Sequence, residues 1–515
     1  MTGAAHFAQF LSRADYALAL PMILLTLFGI TVLLIDLLVP PEWKFLNGLA
    51  ALVGLGFTGL AVMRLHYALW LRDVAGLGGA GMAGFGGAIV VDRFALYFCY
   101  LFVAGGIIVV LMSFRYLEIE REAHGEFYAL LLLAMVGMFG MACGADLVLL
   151  YISLELMAIA TYVLVGFLRG NRRSNEAALK YFLLGAFSSG VFAYGLSLLY
   201  GLSGSTRLSA IGAALERLYA ADPHNALVIF ALVTTSAGLF FKIAAVPFHQ
   251  WAPDAYEGAP TNVTGFMSVS VKAAAWALLL RMFLFALYPL RTLYVPMLVF
   301  VALATLTGGN LAAITQTNVK RLLAYSSIAH VGFMILGLVA SDGQASKTGI
   351  KGILIYLLVY TFMNLGAFAV IASLRRRNIV GDDLQDMAGL YAKSPTSAVM
   401  MLFFLLSLAG IPPLGGFWGK YYIFLSLMES GHYALAGAAI FYSVVGMYYY
   451  LKIANAMFMG TATDSEPVQA SLGLKAALLF CMIGTIGIGM FPNLFMRMAD
   501  WALVGISVLR SLPPS

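Results

Sequence analysis

Charge is what this sequence has least of. Lys and Arg number 30 and Asp and Glu 24 among 515 residues, 10% in all. Soluble domains carry roughly 25% charged residues. With 62% hydrophobic residues and a mean hydropathy of +0.91, no soluble core could bury the apolar surface, so the chain reads as a polytopic membrane protein. Cysteine is nearly absent too. Cys99, Cys143 and Cys481 stand alone in apolar runs and form no CxxC pair, which argues against iron–sulfur or zinc ligation. The 7 histidines give no helically spaced pair for a haem. No GxxxxGK[ST] string offers a phosphate cradle, and no short alternating strands point to a β-barrel. The net charge of +6 is small and spread over loops, so it reflects topology rather than nucleic-acid binding.

What is present is a succession of apolar runs, each near the ~20 residues a helix needs to cross a bilayer. We count about 14, the first at 16–39 and the last at 473–495. The first is too long for a cleaved signal and is read as a retained helix. The Gly-rich stretch 76–88, with 89–91, reads as a surface loop or short hairpin, and 206–221 as an amphipathic interfacial connector. Lys and Arg favour alternate loops: Arg115 and Arg121, Arg169 to Arg173, Lys320 and Arg321, Arg375 to Arg377 and Lys393. By the positive-inside rule that face is cytoplasmic, which puts both termini on the outer face.

Two spans are interrupted. In 226–256, Lys242 is followed by Pro247, and proline removes a backbone donor and crowds the preceding turn. In 395–429 the string Gly410-Ile411-Pro412-Pro413-Leu414-Gly415-Gly416 forbids a continuous helix. These spans, seventh and twelfth, stand five apart. The offset predicts two inverted five-helix repeats, spans 4–8 and 9–13, each with a broken helix. Such pairs point to a transport site. The predicted organisation is an N-terminal three-helix segment (1–125), a first repeat (126–290), a second repeat (291–460) and a C-terminal helix with an amphipathic tail (461–515).

Glu155, Lys242, Lys272, His330 and Lys420 fall in the middle of these spans. A charge at the bilayer centre costs roughly 2.5–3.5 kcal/mol on insertion scales, so such residues face a hydrated protein interior and mark ion movement. Lysine stripped of water can exchange its proton, which arginine cannot. Glu155 is expected to pair with Lys242, and changing their distance would shift the lysine's proton affinity. Small residues around Lys272 leave room for water. His330 can relay a proton through its two nitrogens. Lys420 follows the second break and could end the path. Lys180, Arg281 and Asp36, nearer span ends, are expected to snorkel or pair at the surface, and Asp254 and Glu257 to be solvated in a loop. Static salt bridges and satisfied core hydrogen bonds are the bland alternatives for the row.

Several strings carry a resemblance: Lys242 through Trp251 with Pro253-Asp254-Ala255-Tyr256-Glu257-Gly258-Ala259-Pro260; Lys320 through His330; Gly410 through Lys420; and Lys180-Tyr181-Phe182-Leu183-Leu184-Gly185. Together they resemble the antiporter-like subunits of respiratory complex I, above all subunit N of bacterial NADH–quinone oxidoreductase. The resemblance implies a proton-pumping inner-membrane subunit. Glu155 and Lys242 would be its key pair, and Lys272, His330 and Lys420 the rest of its path. It implies no redox centre in this chain. Flavin, iron–sulfur clusters and quinone would belong to partner subunits, and the chain itself would sit among the other membrane-arm subunits. An Mrp-type sodium–proton antiporter, a photosynthetic-type complex subunit and a passive membrane scaffold are the competing readings.

Overall fold

The computed structural model describes residues 12–76, 81–122, 124–341, 347–375, 381–461 and 471–509. It is almost wholly helical. The long helices, in chain order, are α1 (Arg13–Leu38), α2 (Phe45–Val74), α3 (Arg93–Glu120), α4 (Gly125–Cys143), α5 (Leu147–Val165) and α6 (Arg172–Ser203). The short α7 (Leu208–Ala221) precedes α8 (Ala226–Ile243), α9 (Trp251–Gly258) and α10 (Thr261–Ala286). Then follow α11 (Arg291–Thr315), α12 (Val319–Ala340), α13 (Thr348–Leu374), α14 (Pro395–Ala409), α15 (Gly415–Glu429) and α16 (Tyr433–Met459). The chain closes with α17 (Leu472–Met490) and α18 (Pro492–Leu509). Among the described residues, 13 helices are long and apolar enough to cross a membrane.

Capping residues set the starts. Asp92, Asp146, Asn171, Asn225, Asn318 and Ser471 each accept a hydrogen bond from the first turn that follows them. The anticipated hairpin is present: β1 (Met82–Gly84) pairs antiparallel with β2 (Ile89–Val91). The connector after 206 is the amphipathic α7. The final run is shorter than the sequence reading, because α17 stops at Met490 and a new helix starts at Pro492, which cannot donate to the preceding turn.

Position in the bundle follows from composition on every side of each helix. α10, α12 and α13 are buried almost all round, whereas α1, α6 and α16 keep apolar faces outward, as with Leu34, Phe187 and Phe441. An apolar exterior this broad is what lipid requires. The mid-span ionisable residues lie on the buried and intermediate helices, away from that exterior.

Candidate functional site

The first break places Lys242. α8 ends where Ala244 adopts a left-handed conformation (φ 59°), with Ala244 and Ala245 amides bonded back to Phe240 O. The open segment is pinned from two sides: Val246 N donates to Thr305 Oγ1 at 3.0 Å, and Trp251 Nε1 donates to Phe241 O at 2.9 Å. Lys242, in the last turn of α8, points at Ser189 Oγ (3.4 Å) and Tyr162 Oη (3.5 Å).

Glu155 is half-buried on α5, with Oε1 buried and unpartnered. Among the described residues no direct ion pair joins it to Lys242, whose polar partners are Tyr162 and Ser189. The expected Glu155–Lys242 pair is therefore not a direct contact in this structure.

Lys272 sits between two π-helical stretches, Met267–Val271 and Met282–Ala286, which widen the helix around it. Its Nζ donates to Ser327 Oγ at 2.5 Å. Three residues further along α12, His330 is clamped through both ring nitrogens: Nδ1 meets Tyr356 Oη, and Nε2 meets Tyr450 Oη at 2.8 Å. Tyr450 Oη also bonds Ser326 Oγ.

The second break is built like the first. α14 ends at Gly410 in the left-handed region (φ 89°), and Gly410 and Ile411 amides return to Leu406 O. The helix end frees the carbonyl of Ala409, and Lys420 Nζ donates to it at 2.8 Å and to Ser443 Oγ at 2.9 Å. A Cβ on residue 410 would stand 2.8 Å from Lys420 Cδ. Gly410→Ala should thus cost on the order of 1–2 kcal/mol in backbone strain and displace the lysine. A lower thermal midpoint of the purified protein is the expected result.

The partners of this row, not its burial, set it apart from Lys320 and Arg281, which are buried as deeply. Lys242, Lys272 and Lys420 are 7%, 2% and 5% exposed. Among the described residues each is held only by neutral hydroxyls or carbonyls. By contrast, Lys320 and Arg281 each reach a carboxylate.

Arg281 corrects the sequence reading. It does not snorkel: its side chain and that of Asp92 are both 0% exposed, joined at 3.0 and 3.1 Å. Asp254 and Glu257 are also not loop residues. They lie on α9 and bind Arg321 Nη1 at 2.7 and 2.9 Å, while Lys180 bridges Asp254 and Glu176. This network lines a recess of about 240 Å³. Asp36 pairs with Lys44 as anticipated for a span end. Sequence reasoning missed the tyrosines at 162, 356 and 450, since a tyrosine in an apolar run reads as core. The helical register of Tyr162 with Glu155 and of Tyr356 with Tyr360 was the available signal; Tyr450 is brought to Ser326 from another helix by packing alone. Sequence reasoning also read Lys320 as a loop charge, whereas its Nζ is buried, donates to Ala259 O at 2.7 Å and meets Asp382 at 3.3 Å. Burial pushes the Asp382 carboxyl above the usual carboxylate range, outweighing the pull of Lys320 and Arg375.

A bundle broken twice in the same way, with a buried lysine beside each break, has its counterpart in the antiporter-like membrane proteins. Residues 144–446 match the family described as NADH:quinone oxidoreductase/Mrp antiporter, TM. The chain is 62% identical over 493 residues to NADH-quinone oxidoreductase subunit N 1 of Koribacter versatilis, covering 96% of both. It is 52% identical over 500 residues to subunit N 2 of Solibacter usitatus, covering 96% of this chain and 99% of that one. A chain of respiratory complex I from Thermus thermophilus superposes with a TM-score of 0.75 at 33% identity, over 93% of this chain and 98% of that one. A chain of the Mrp complex from Dietzia, with a TM-score of 0.79 at 20% identity over 97% of this chain and 100% of that one, shares the fold. The protein belongs to the antiporter-like family of NADH–quinone oxidoreductase N subunits.

Proposed function

We propose that this chain carries protons across the bacterial inner membrane as a membrane-arm subunit of NADH–quinone oxidoreductase, with both termini on the periplasmic side. Its two broken helices belong to inverted five-helix repeats, 126–290 and 291–460. The observation that carries the reading is the row of buried lysines that, among the described residues, make no direct ion pair. An unpaired buried cation is expensive, and releasing a proton removes that expense. Residues that only fasten helices would be paired, as Arg281 is with Asp92.

Approach of Glu155 favours the ammonium form of Lys242, since an opposite charge stabilises it. Withdrawal or neutralisation of Glu155 drives the proton onward. Lys272 takes it through water and hands it towards His330 by way of Ser327. His330 accepts at one ring nitrogen and releases at the other, with the Tyr356 and Tyr450 hydroxyls rotating to match. Lys420 receives the proton beside the second break and releases it outward. Flavin, iron–sulfur clusters and quinone work in partner subunits, whose redox chemistry supplies the energy. The 62% identity to a subunit N favours this over an Mrp-type antiporter.

Lys242→Ala in the assembled complex tests it. Assembly should persist while protons moved per NADH oxidised fall in reconstituted vesicles. An unchanged ratio would contradict the proposal.

A further inference from the structure

Both breaks are gripped from outside their own spans. At the first, Thr305 of α11 is 0% exposed, and its Oγ1 accepts from Val246 N at 3.0 Å. Three residues along the same helix, a Cβ on Gly308 would stand 3.3 Å from Val246 Cγ2. At the second break, Thr485 of α17 is 0% exposed, and its carbonyl would lie 3.0 Å from a Cβ on Gly415. Four residues along, Gly489 O accepts from Trp418 Nε1 at 3.0 Å. A Cβ on Gly489 would overlap Pro413 O and stand 2.8 Å from Leu414 Cα. The two grips occupy matching places in the chain. α11 is the second span after the first break, and α17 the second span after the second. Each sets a buried threonine one turn before a glycine, and each threonine hydroxyl donates back into its own helix, to Val301 O and Cys481 O.

Small residues between membrane helices can serve packing alone. Packing has no reason to favour a broken turn over regular helix, yet these contacts fall on the open backbone itself. An amide released from a helix inside a bilayer is costly unless it is bonded. The Ala244 and Ala245 amides return to α8, and the next, Val246, goes to Thr305. That amide lies one turn beyond Lys242. At the second break the lysine's seat spans the interruption, because Lys420 on α15 is held by Ala409 O on α14. Sliding one half-helix against the other would part them.

We infer that Thr305 and Gly489 are positioning residues for Lys242 and Lys420, and that α17, outside both repeats, belongs to the second transfer site as α11 belongs to the first. This rests on the proposed function and deepens it. Neither residue handles a proton. Thr305 fixes the end of α8 on which Lys242 rides. Gly489 lets α17 close on Pro413 and Leu414, which fixes the start of α15 and so the reach of Lys420 to Ala409.

The whole complex in vesicles provides the test. Thr305→Val keeps the side-chain volume and removes the acceptor. It should lower protons moved per NADH oxidised most of the way to the Lys242→Ala value, while Thr305→Ser, which keeps the acceptor, stays near wild type. Gly489→Ala should fall most of the way to Lys420→Ala. Gly487→Ala, on the same helix with nothing among the described residues within 4 Å of the added Cβ, should stay at the wild-type ratio. Plain packing contacts would lower the amount of complex without moving the ratio in the complexes that assemble, and that result would overturn the inference. If the lysine variants lower the ratio and Thr305→Val and Gly489→Ala do not, the positioning roles are wrong and the proposed function stands. If the lysine variants leave it unchanged, the proposed function falls and the positioning roles with it. Should Gly489→Ala fail to assemble, Trp418→Phe removes the bond to Gly489 O and keeps a ring, and a wild-type ratio there would overturn the role of α17.

Discussion

Asp92→Ala should remove most of the assembled protein from the membrane. Asp92 and Arg281 are both sealed from solvent, and two hydrogen bonds join them. Arg281 also donates to Ala142 O at 2.6 Å and lies over the Phe94 ring. Removing the carboxylate strands a guanidinium that cannot deprotonate, a loss of about 3–5 kcal/mol. That is a large part of the roughly 5–15 kcal/mol by which folded domains are stable. Asp92 caps α3 as well, through Ala95 N at 2.7 Å, which adds about 1 kcal/mol. Asp92→Asn separates the two effects, because it keeps a capping oxygen and loses the charge. It should be nearly as damaging as alanine. Adding Arg281→Met to Asp92→Ala should recover much of the loss by removing the stranded charge. Native gels of solubilised membranes and thermal midpoints read all of these. Wild-type abundance of Asp92→Ala would show that the pair is dispensable.

Lys272→Met should leave a stable subunit that no longer transfers its protons. Methionine matches the unbranched stem of lysine and suits the packed surroundings of α10. What disappears is the titratable nitrogen and its bond to Ser327. If Lys272 were a structural fastener, stability would fall and pumping by surviving complexes would not. The expected result is the reverse: normal assembly, with vesicle acidification per NADH reduced at least as far as in Lys242→Ala.

The membrane fold was legible because the bilayer imposes length and apolarity on every span, and the 16–39 run became α1 within a few residues. Both breaks were legible as well, since Pro247 and the Gly410 to Gly416 string leave few alternatives to an open turn. The mid-span positions of Glu155, Lys242, Lys272, His330 and Lys420 could be read from their apolar neighbours. Which groups would touch could not. Helical spacing puts Tyr162 seven residues after Glu155, but only packing brings Ser189 from α6 to Lys242. The same limit hid Arg281: its distance from a span end looked like a surface position, while its partner stands 189 residues away in sequence. Asp254 and Glu257 were misjudged because a broken span resumes as helix beyond its proline, and the short α9 carries both into a charge network with Arg321.

A map of the assembled complex sharp enough to show ordered water would test the account most directly. Water should lie between Lys242 and Lys272, between Lys272 and His330, and between His330 and Lys420, within hydrogen-bond distance of Ser327, Tyr356 and Tyr450. Dry apolar packing between those side chains, in every redox state of the complex, would contradict it.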